Sequence, residues 1–303
     1  MKIVEPQVEL WKQESTLEGA WHQIARATRV CYQSKPREGE SDEAFVNRVI
    51  LKPATREDGS IDFDKCHGAM LEHGTIYLTI PKAYFLERGI HYVNNKYSKL
   101  FLGALVCDTD NYYVTTNMRV ILEHNFKDDL QFISAPTYHA GRTTFSIITD
   151  IGVTRELNRH RVNSIAEQST RYCTYSADKF GSEITYTSDS PFLECVSDDK
   201  YYFRELCEDI TDNSYKSTWD DRQYYAFGLL AAEFAYLGLK KNKVPNDVAR
   251  QVLNLNTKSQ AIYTAFDIDW IHFIRLRADN VSGKVHPNMK IIADKIKELF
   301  NNK

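Results

Sequence analysis

Apolar residues recur at helical spacing over Glu14 to Ala27 and over Asp42 to Leu51, and a third helical approach runs from Asp64 to Glu72 into a His73-Gly74-Thr75 turn. Runs rich in β-branched and aromatic residues then predict strands at Ile76 to Ile80, Tyr112 to Thr116 and Thr143 to Thr149. The apolar-rich run Ile147 to Leu157 predicts a helix that ends near Arg161. Ile184 to Thr187 reads as a short strand, followed by helices at Tyr201 to Ser217 and Arg222 to Lys240. The second of these offers Leu229, Leu230, Phe234 and Leu237 for burial. Pro245-Asn246-Asp247 has the proline and acid of a first helical turn, and that helix carries Arg250. Asn256 to Phe266 favours a strand or an extended link, and Asp267 to Leu276 and Pro287 to Phe300 close the chain as helices. Strands and helices intermixed in this way predict an α+β fold, a mixed or antiparallel sheet flanked by helices.

No stretch of Pro, Gly or Ser separates two folding units, so the 303 residues are expected to form a single domain. Composition changes little: 43% hydrophobic and 26% charged residues suit a globular protein with a sizeable core. Met1 to Trp11 carries Glu5 and Glu9 and lacks the apolar core of a signal peptide. No uncharged apolar run reaches the roughly 18 residues that suggest a membrane span. The six cysteines, Cys31, Cys66, Cys107, Cys173, Cys195 and Cys207, form no C-x-x-C pair. Scattered in this way they fit buried small hydrophobes in a reducing cytoplasm. Cys66-His67 with His73 lacks the fourth ligand and the spacing of a zinc site, so no metal is expected.

The chemistry concentrates in Arg159 to Tyr172, where permanent cations, hydroxyls and one carboxylate crowd into a short segment. The planar guanidinium fork matches phosphate oxygens two at a time. Four arginines fall between Arg155 and Arg171, and a helix through Leu157 would set Arg155 and Arg159 on one face at i, i+4 spacing. Like charges there repel unless an anion sits between them. An extended Glu167 to Arg171 would place Glu167, Ser169 and Arg171 on one side. Ser169 has no nucleophile elbow around it and reads as a hydrogen-bond donor to phosphate. A net charge of -3 makes the positive charge local, as in a pocket, and argues against the broad basic face of a nucleic-acid-binding module.

Arg159-His160-Arg161, seven residues, then Ser169, with Ser164, Glu167, Arg171 and Tyr172 around them, resembles the signature of the flavin-dependent thymidylate synthases. Ala249-Arg250-Gln251-Val252-Leu253 and Leu276-Arg277-Ala278-Asp279 match two further family motifs, and Arg26 to Cys31 and His73-Gly74-Thr75 resemble its opening ones. The resemblance leaves a gap at about 81–136, which reads as an insertion. It implies the family's fold and its reaction, methylation of dUMP to dTMP with carbon from methylenetetrahydrofolate and reducing equivalents from NADPH through FAD. It also implies a homotetramer with active sites at subunit junctions, and no nucleic-acid or membrane partner.

Carried over residue by residue, the dUMP site comprises Glu156, Arg159, Glu167, Gln168, Ser169, Thr170, Arg171, Arg250 and Arg277. The FAD site comprises Thr75, Arg159, His160, Arg161, Glu167 and His272. Arg277 is the expected catalytic cation, stabilising negative charge that develops on the uracil. Without a G-x-G pair the chain has no Rossmann cradle, so FAD and NADPH need another architecture. The chain departs from the family pattern at Ala166, where an Asn is common, and at Glu156, where a Gln often meets the substrate. Glu156 either accepts a hydrogen bond from uracil or pairs with Arg159. His272 stands where an Asn often contacts FAD, and the His73-Gly74-Thr75 motif is shortened, leaving no counterpart for a histidine placed near folate. No Pro-Cys-His marks the cysteine-dependent route to thymidylate. Two other readings stay open on the sequence: a nucleotide or flavin sensor without turnover, and an Arg-rich nucleic-acid-binding module.

Overall fold

The computed structural model describes residues 1–102, 110–171, 173–175, 183–187, 207–208, 219–281 and 283–303. The N-terminal strands β1 (Lys2–Val4) and β2 (Gln7–Trp11) lead into helix α1 (Leu17–Tyr32). Thr16 caps α1 by accepting from the Gly19 amide, which satisfies one of the orphan donors of the first turn. Helix α2 (Asp42–Val46) runs on through one wide turn to Leu51, which matches the helical span expected there. The approach to His73 is shorter than the pattern predicts, a 3-10 turn over Gly68–His73.

Strand β3 (Thr75–Pro81), helix α3 (Lys82–Val93), strands β4 (Lys99–Leu102) and β5 (Asn111–Asn117) and helix α4 (Met118–Glu123) follow. The strands form an antiparallel sheet in the order β3-β5-β4, with Thr75 opposite Asn117. Residues 81–136 bring Phe85, Tyr92, Val114, Val120 and Phe126 into the same core as Ala20, Ile24 and Leu71. At the turn, a Cβ on Gly74 would lie 2.6 Å from Ile24 Cδ1 and 2.9 Å from the Ala20 carbonyl oxygen. The glycine of the His-Gly-Thr motif therefore lets α1 approach the start of β3 closely.

The rest of the chain builds a four-stranded antiparallel sheet in the order β2-β6-β9-β7. Its long pair is β6 (Arg142–Asp150) with β9 (Lys258–Phe266), in register from Arg142 opposite Phe266 to Asp150 opposite Lys258. Between them lie helix α5 (Ile151–Leu157), strand β7 (Ser164–Glu167), strand β8 (Thr185–Thr187), helix α6 (Asp221–Lys241) and the short helix α7 (Asn246–Ala249). Helices α8 (Asp267–Arg277) and α9 (Pro287–Asn301) cover one face, where Phe145, Ile147, Trp270, Phe273 and Ile292 make a second core. A third core joins Tyr175, Tyr186, Leu229 and Tyr236 around α6. The architecture is the α+β arrangement of antiparallel sheets and helices that the pattern predicts. No helix among the described residues is long and apolar enough to cross a membrane.

Four local expectations are corrected. The helix expected over Ile147 to Arg161 begins only at Ile151, because β6 continues to Asp150, whose carboxylate caps α5 by accepting from Val153 N at 2.6 Å. It ends at Leu157, where i to i-3 bonds from the Arg159 and His160 amides tighten the chain into a turn. Phe234 is 71% exposed, since it falls off the buried stripe of Ala226, Leu229 and Tyr236 on α6. The extended run expected from Glu167 to Arg171 stops at Glu167, and the helix expected to carry Arg250 stops at Ala249, with Arg250 opening a 3-10 turn. The helix expected at Tyr201 to Ser217 lies outside the described residues except for Cys207 and Glu208.

Candidate functional site

A cavity of about 880 Å³ opens where β7 ends and β9 begins, beside α5 and the C-terminal end of α1. Glu167, the last residue of β7, lines it, followed by Gln168, Ser169 and Thr170 in the turn that leaves the strand. Backbone bonds fix this turn: Gln168 N donates to Gln260 O at 2.8 Å and Ser169 N to Cys31 O at 3.1 Å. Ser259 Oγ donates to Glu167 Oε1 at 2.7 Å, so the one carboxylate among the lining side chains is oriented and partly neutralised by a hydroxyl. Arg250 enters from the turn after α7, and Arg155 from α5.

Among the described residues neither Arg155 nor Arg250 has a carboxylate partner, while Arg119, also on the wall, donates to Glu72 at 2.6 Å and Glu123 at 3.0 Å. The cavity is therefore biased toward an anion of nucleotide size, within the roughly 300–1,000 Å³ typical of small-molecule sites. Burial pushes the Cys31 thiol up to about 11, which keeps this wall cysteine protonated and poorly nucleophilic. Cys173 is buried, and its thiol points at the Tyr32 carbonyl at 3.4 Å, a packing role. No group of three side chains suited to hold a metal forms among the described residues.

A second cluster sits at the end of α5 and the C-terminal turn of α8. Arg277 Nε donates to His160 Nε2 at 3.3 Å, and Arg277 Nη1 lies 3.4 Å from Glu156 Oε2. His160 meets Phe273 edge to face at 4.9 Å. Burial, then the charges of Arg277 and His272, hold His160 down at about 4, so it is neutral at pH 7 and accepts from Arg277. The last turn of α8 is a favourable place for the Arg277 cation. Glu156 pairs with Arg277 rather than with Arg159, which stands exposed beyond the helix end. Consecutive residues on a helix project roughly 100° apart, so Arg155 and Glu156 serve different faces of α5.

Of the residues expected to bind dUMP, the cavity unites Glu167, Gln168, Ser169, Thr170 and Arg250. Glu156 and Arg277 meet in the second cluster. Arg171 lies exposed just past the turn, its carbonyl accepting from Asn246 Nδ2 at 3.1 Å. Of the expected flavin residues, His160 and the nearby exposed His272 belong to the second cluster, with Arg159 and Arg161 exposed beside them in the loop. Thr75 is buried at the foot of β3, and its Oγ1 accepts from Arg142 Nη1 at 3.2 Å, away from both groups of residues. Ala166 is 1% exposed within the core shared with Ile262, a position that an apolar side chain satisfies without a partner. Arg155, Lys258, Tyr32 and His67 line the cavity without having been assigned to it. Arg155 had a sequence signal in its i, i+4 spacing to Arg159, whereas Lys258 sits in a polar Asn-Thr-Lys-Ser run that reads only as an extended link.

A cavity walled by arginines and a backbone turn at the end of an antiparallel sheet has the chemistry to take a small anionic ligand. Residues 135–303 match the family described as Thymidylate synthase complementing protein, and the chain belongs to that family. The match takes in the Arg277 cluster and the cavity wall from Ile151 onward, but not the part of the wall formed by Cys31, Tyr32, Cys66 to Met70 and Arg119. No curated protein sequence matches the chain. Among solved structures, the UMP/dUMP methylase PolB from Streptomyces cacaoi bound with 5-Br dUMP is similar at 15% identity and a TM-score of 0.41, covering 100% of this chain and 93% of that one. The same enzyme bound with 5-Br UMP gives 14% identity and a TM-score of 0.42, covering 100% and 92%.

Proposed function

We propose that the protein methylates dUMP to dTMP, with methylenetetrahydrofolate as carbon donor, NADPH as reductant and FAD as cofactor. The observation that carries this reading is the meeting of the Glu167 to Thr170 turn with Arg155 and Arg250 in one cavity, within a chain of the Thymidylate synthase complementing protein family. The turn and Arg250 would hold the phosphate and sugar, and Arg171 at the rim would add a further cation. Positioning by these groups supplies much of the rate when the reacting atoms are held in line.

Arg277 is the proposed catalytic cation. Glu156 and His160 orient its guanidinium, which leaves a planar donor directed at charge developing on the uracil. The FAD residues fit their ligand chemically: Arg159 and Arg161 are exposed guanidiniums for a pyrophosphate, His160 is neutral, and Val162 beside them is 63% exposed, an apolar surface for a ring. Bound FAD would carry the reducing equivalents from NADPH. Among the residues named for it, Arg159, His160, Arg161 and His272 surround the Arg277 cluster, while Glu167 belongs to the cavity and Thr75 to neither.

The site is proposed to be completed between copies of the chain, in a homotetramer. Arg155 and Glu156 face apart on α5, so the anion-binding cavity of one protomer would work with the Arg277 cluster of another. The reaction is tested by supplying the purified protein with FAD, NADPH, methylenetetrahydrofolate and dUMP under anaerobic conditions and following dTMP by chromatography. Formation of dTMP only when all four are present supports the proposal; tight dUMP binding without any dTMP replaces it with a nucleotide sensor.

A further inference from the structure

Lys258 opens β9 with its side chain on the cavity wall. Its ammonium has three protons to donate, and among the described residues it has a single hydrogen-bond acceptor, Gln168 Oε1 at 2.7 Å. The carboxylates of Glu167 and Asp150 are engaged elsewhere. Glu167 accepts from Ser259, and Asp150, opposite Lys258 in the strand register, accepts from Val153 N and from Asn288 Nδ2. Lys2 lies close enough to add repulsion, and burial with that repulsion brings the ammonium down to about 8. A cation withdrawn from water without an acidic partner is costly and is retained where an anion completes it.

We propose that Lys258 is a third cation of the substrate cavity, beside Arg155 and Arg250, and contacts the phosphate of the bound nucleotide, with Gln168 as the positioning residue that holds its ammonium at the wall. The inference rests on the reading of this cavity as the dUMP site and extends it to a residue that no signature motif contains. Gln168 is 7% exposed and its backbone is pinned to β9, so its amide oxygen is a fixed tether. The remaining Lys258 protons are then free for a phosphate oxygen, where a charge-assisted bond is strongest.

The test compares the full chain with Lys258→Met and Lys258→Arg by calorimetric titration with dUMP and with deoxyuridine, which lacks the phosphate, alongside thermal melts. Lys258→Met is expected to weaken dUMP binding by at least about tenfold, leave deoxyuridine unchanged and keep or raise Tm, with Lys258→Arg recovering part of the dUMP affinity. Equal dUMP affinity in the wild type and Lys258→Met overturns the assignment while leaving the dUMP reading intact. A Lys258→Met chain that melts lower and loses dUMP and deoxyuridine binding alike has lost a structural residue, which also overturns it. A wild type that binds no dUMP removes the dUMP reading, and this assignment with it.

Discussion

The two clusters that flank α5 treat charge in opposite ways. In the cavity, Arg155 and Arg250 have no acidic partner among the described residues, while the one carboxylate, Glu167, is occupied by Ser259. At the end of α8, Arg277 is already held by Glu156 and accepted by a neutral His160. An unpaired cation in a concave wall is a binding device, because the arriving anion supplies the missing partner. A cation fixed by neighbours before ligand arrives is preorganised, which favours stabilising charge that appears only during reaction. Under the proposed function, the difference would give affinity to the first cluster and turnover to the second.

That division breaks most visibly at Arg277. Arg277→Lys is expected to cut turnover by about 100-fold or more while changing dUMP affinity little, since a lysine cannot reproduce a planar donor set held on two sides. Steady-state kinetics with separate kcat and dUMP titrations check this, and unchanged turnover would remove Arg277 from the reaction. Arg250→Ala should show the converse, a loss of dUMP affinity of about 10- to 100-fold, the worth of one charged hydrogen bond. Arg171→Ala at the rim should weaken dUMP less and spare flavin content.

His160→Ala sharpens the comparison further. It is expected to lower the FAD retained after purification by several-fold, read from the ratio of visible to ultraviolet absorbance, with dUMP affinity preserved. A full flavin complement would sever the RHR loop from the cofactor. The same residue sets a smaller, pH-dependent effect. Its pKa is held at about 4 against an ordinary 6.5, so the unfolded chain takes up the proton first. Stability is complete above about pH 6.5 and falls as the pH drops toward 4. Melts of His160→Asn should lose less Tm over that window than the wild type, with part of the remaining loss coming from buried His73, held down to about 3, and from His139, which burial also holds below its ordinary value.

Periodicity disclosed the long helix α6 because its burial is one-sided. It was legible from Leu229 and Leu230, whereas β9, buried without a break from Ala261 to Phe266, read only as a strand or an extended link. Phe234 was misread because one aromatic at the margin of a stripe fits two helical phases. Helix α5 was overextended because Asp150 and Asn158, the residues at its two ends, are ordinary polar positions until capping reveals them. The candidate site followed the same pattern. Arg250 and the Glu167 to Thr170 turn were legible from motif spacing, and Arg277 from its own motif. The separation of Arg277 from the cavity was not, because it depends on which face of α5 each of two adjacent side chains occupies. Lys258 gave no signal, since a lone lysine becomes unusual only once its surroundings are seen to lack an acid.

In the proposed assembly the cavity of one copy works with the Arg277 cluster of another. The check mixes Arg250→Ala and Arg277→Lys chains, dissociates and reassembles them together, and assays dTMP formation at a dUMP concentration that saturates the wild-type cavity but leaves the Arg250→Ala cavity largely empty. Mixed assemblies should regain activity, approaching a quarter of the wild-type level at equal proportions, because some junctions then pair an intact cavity with an intact Arg277. No recovery in assemblies shown to contain both chains would place the two clusters in a site within one protomer and contradict the account.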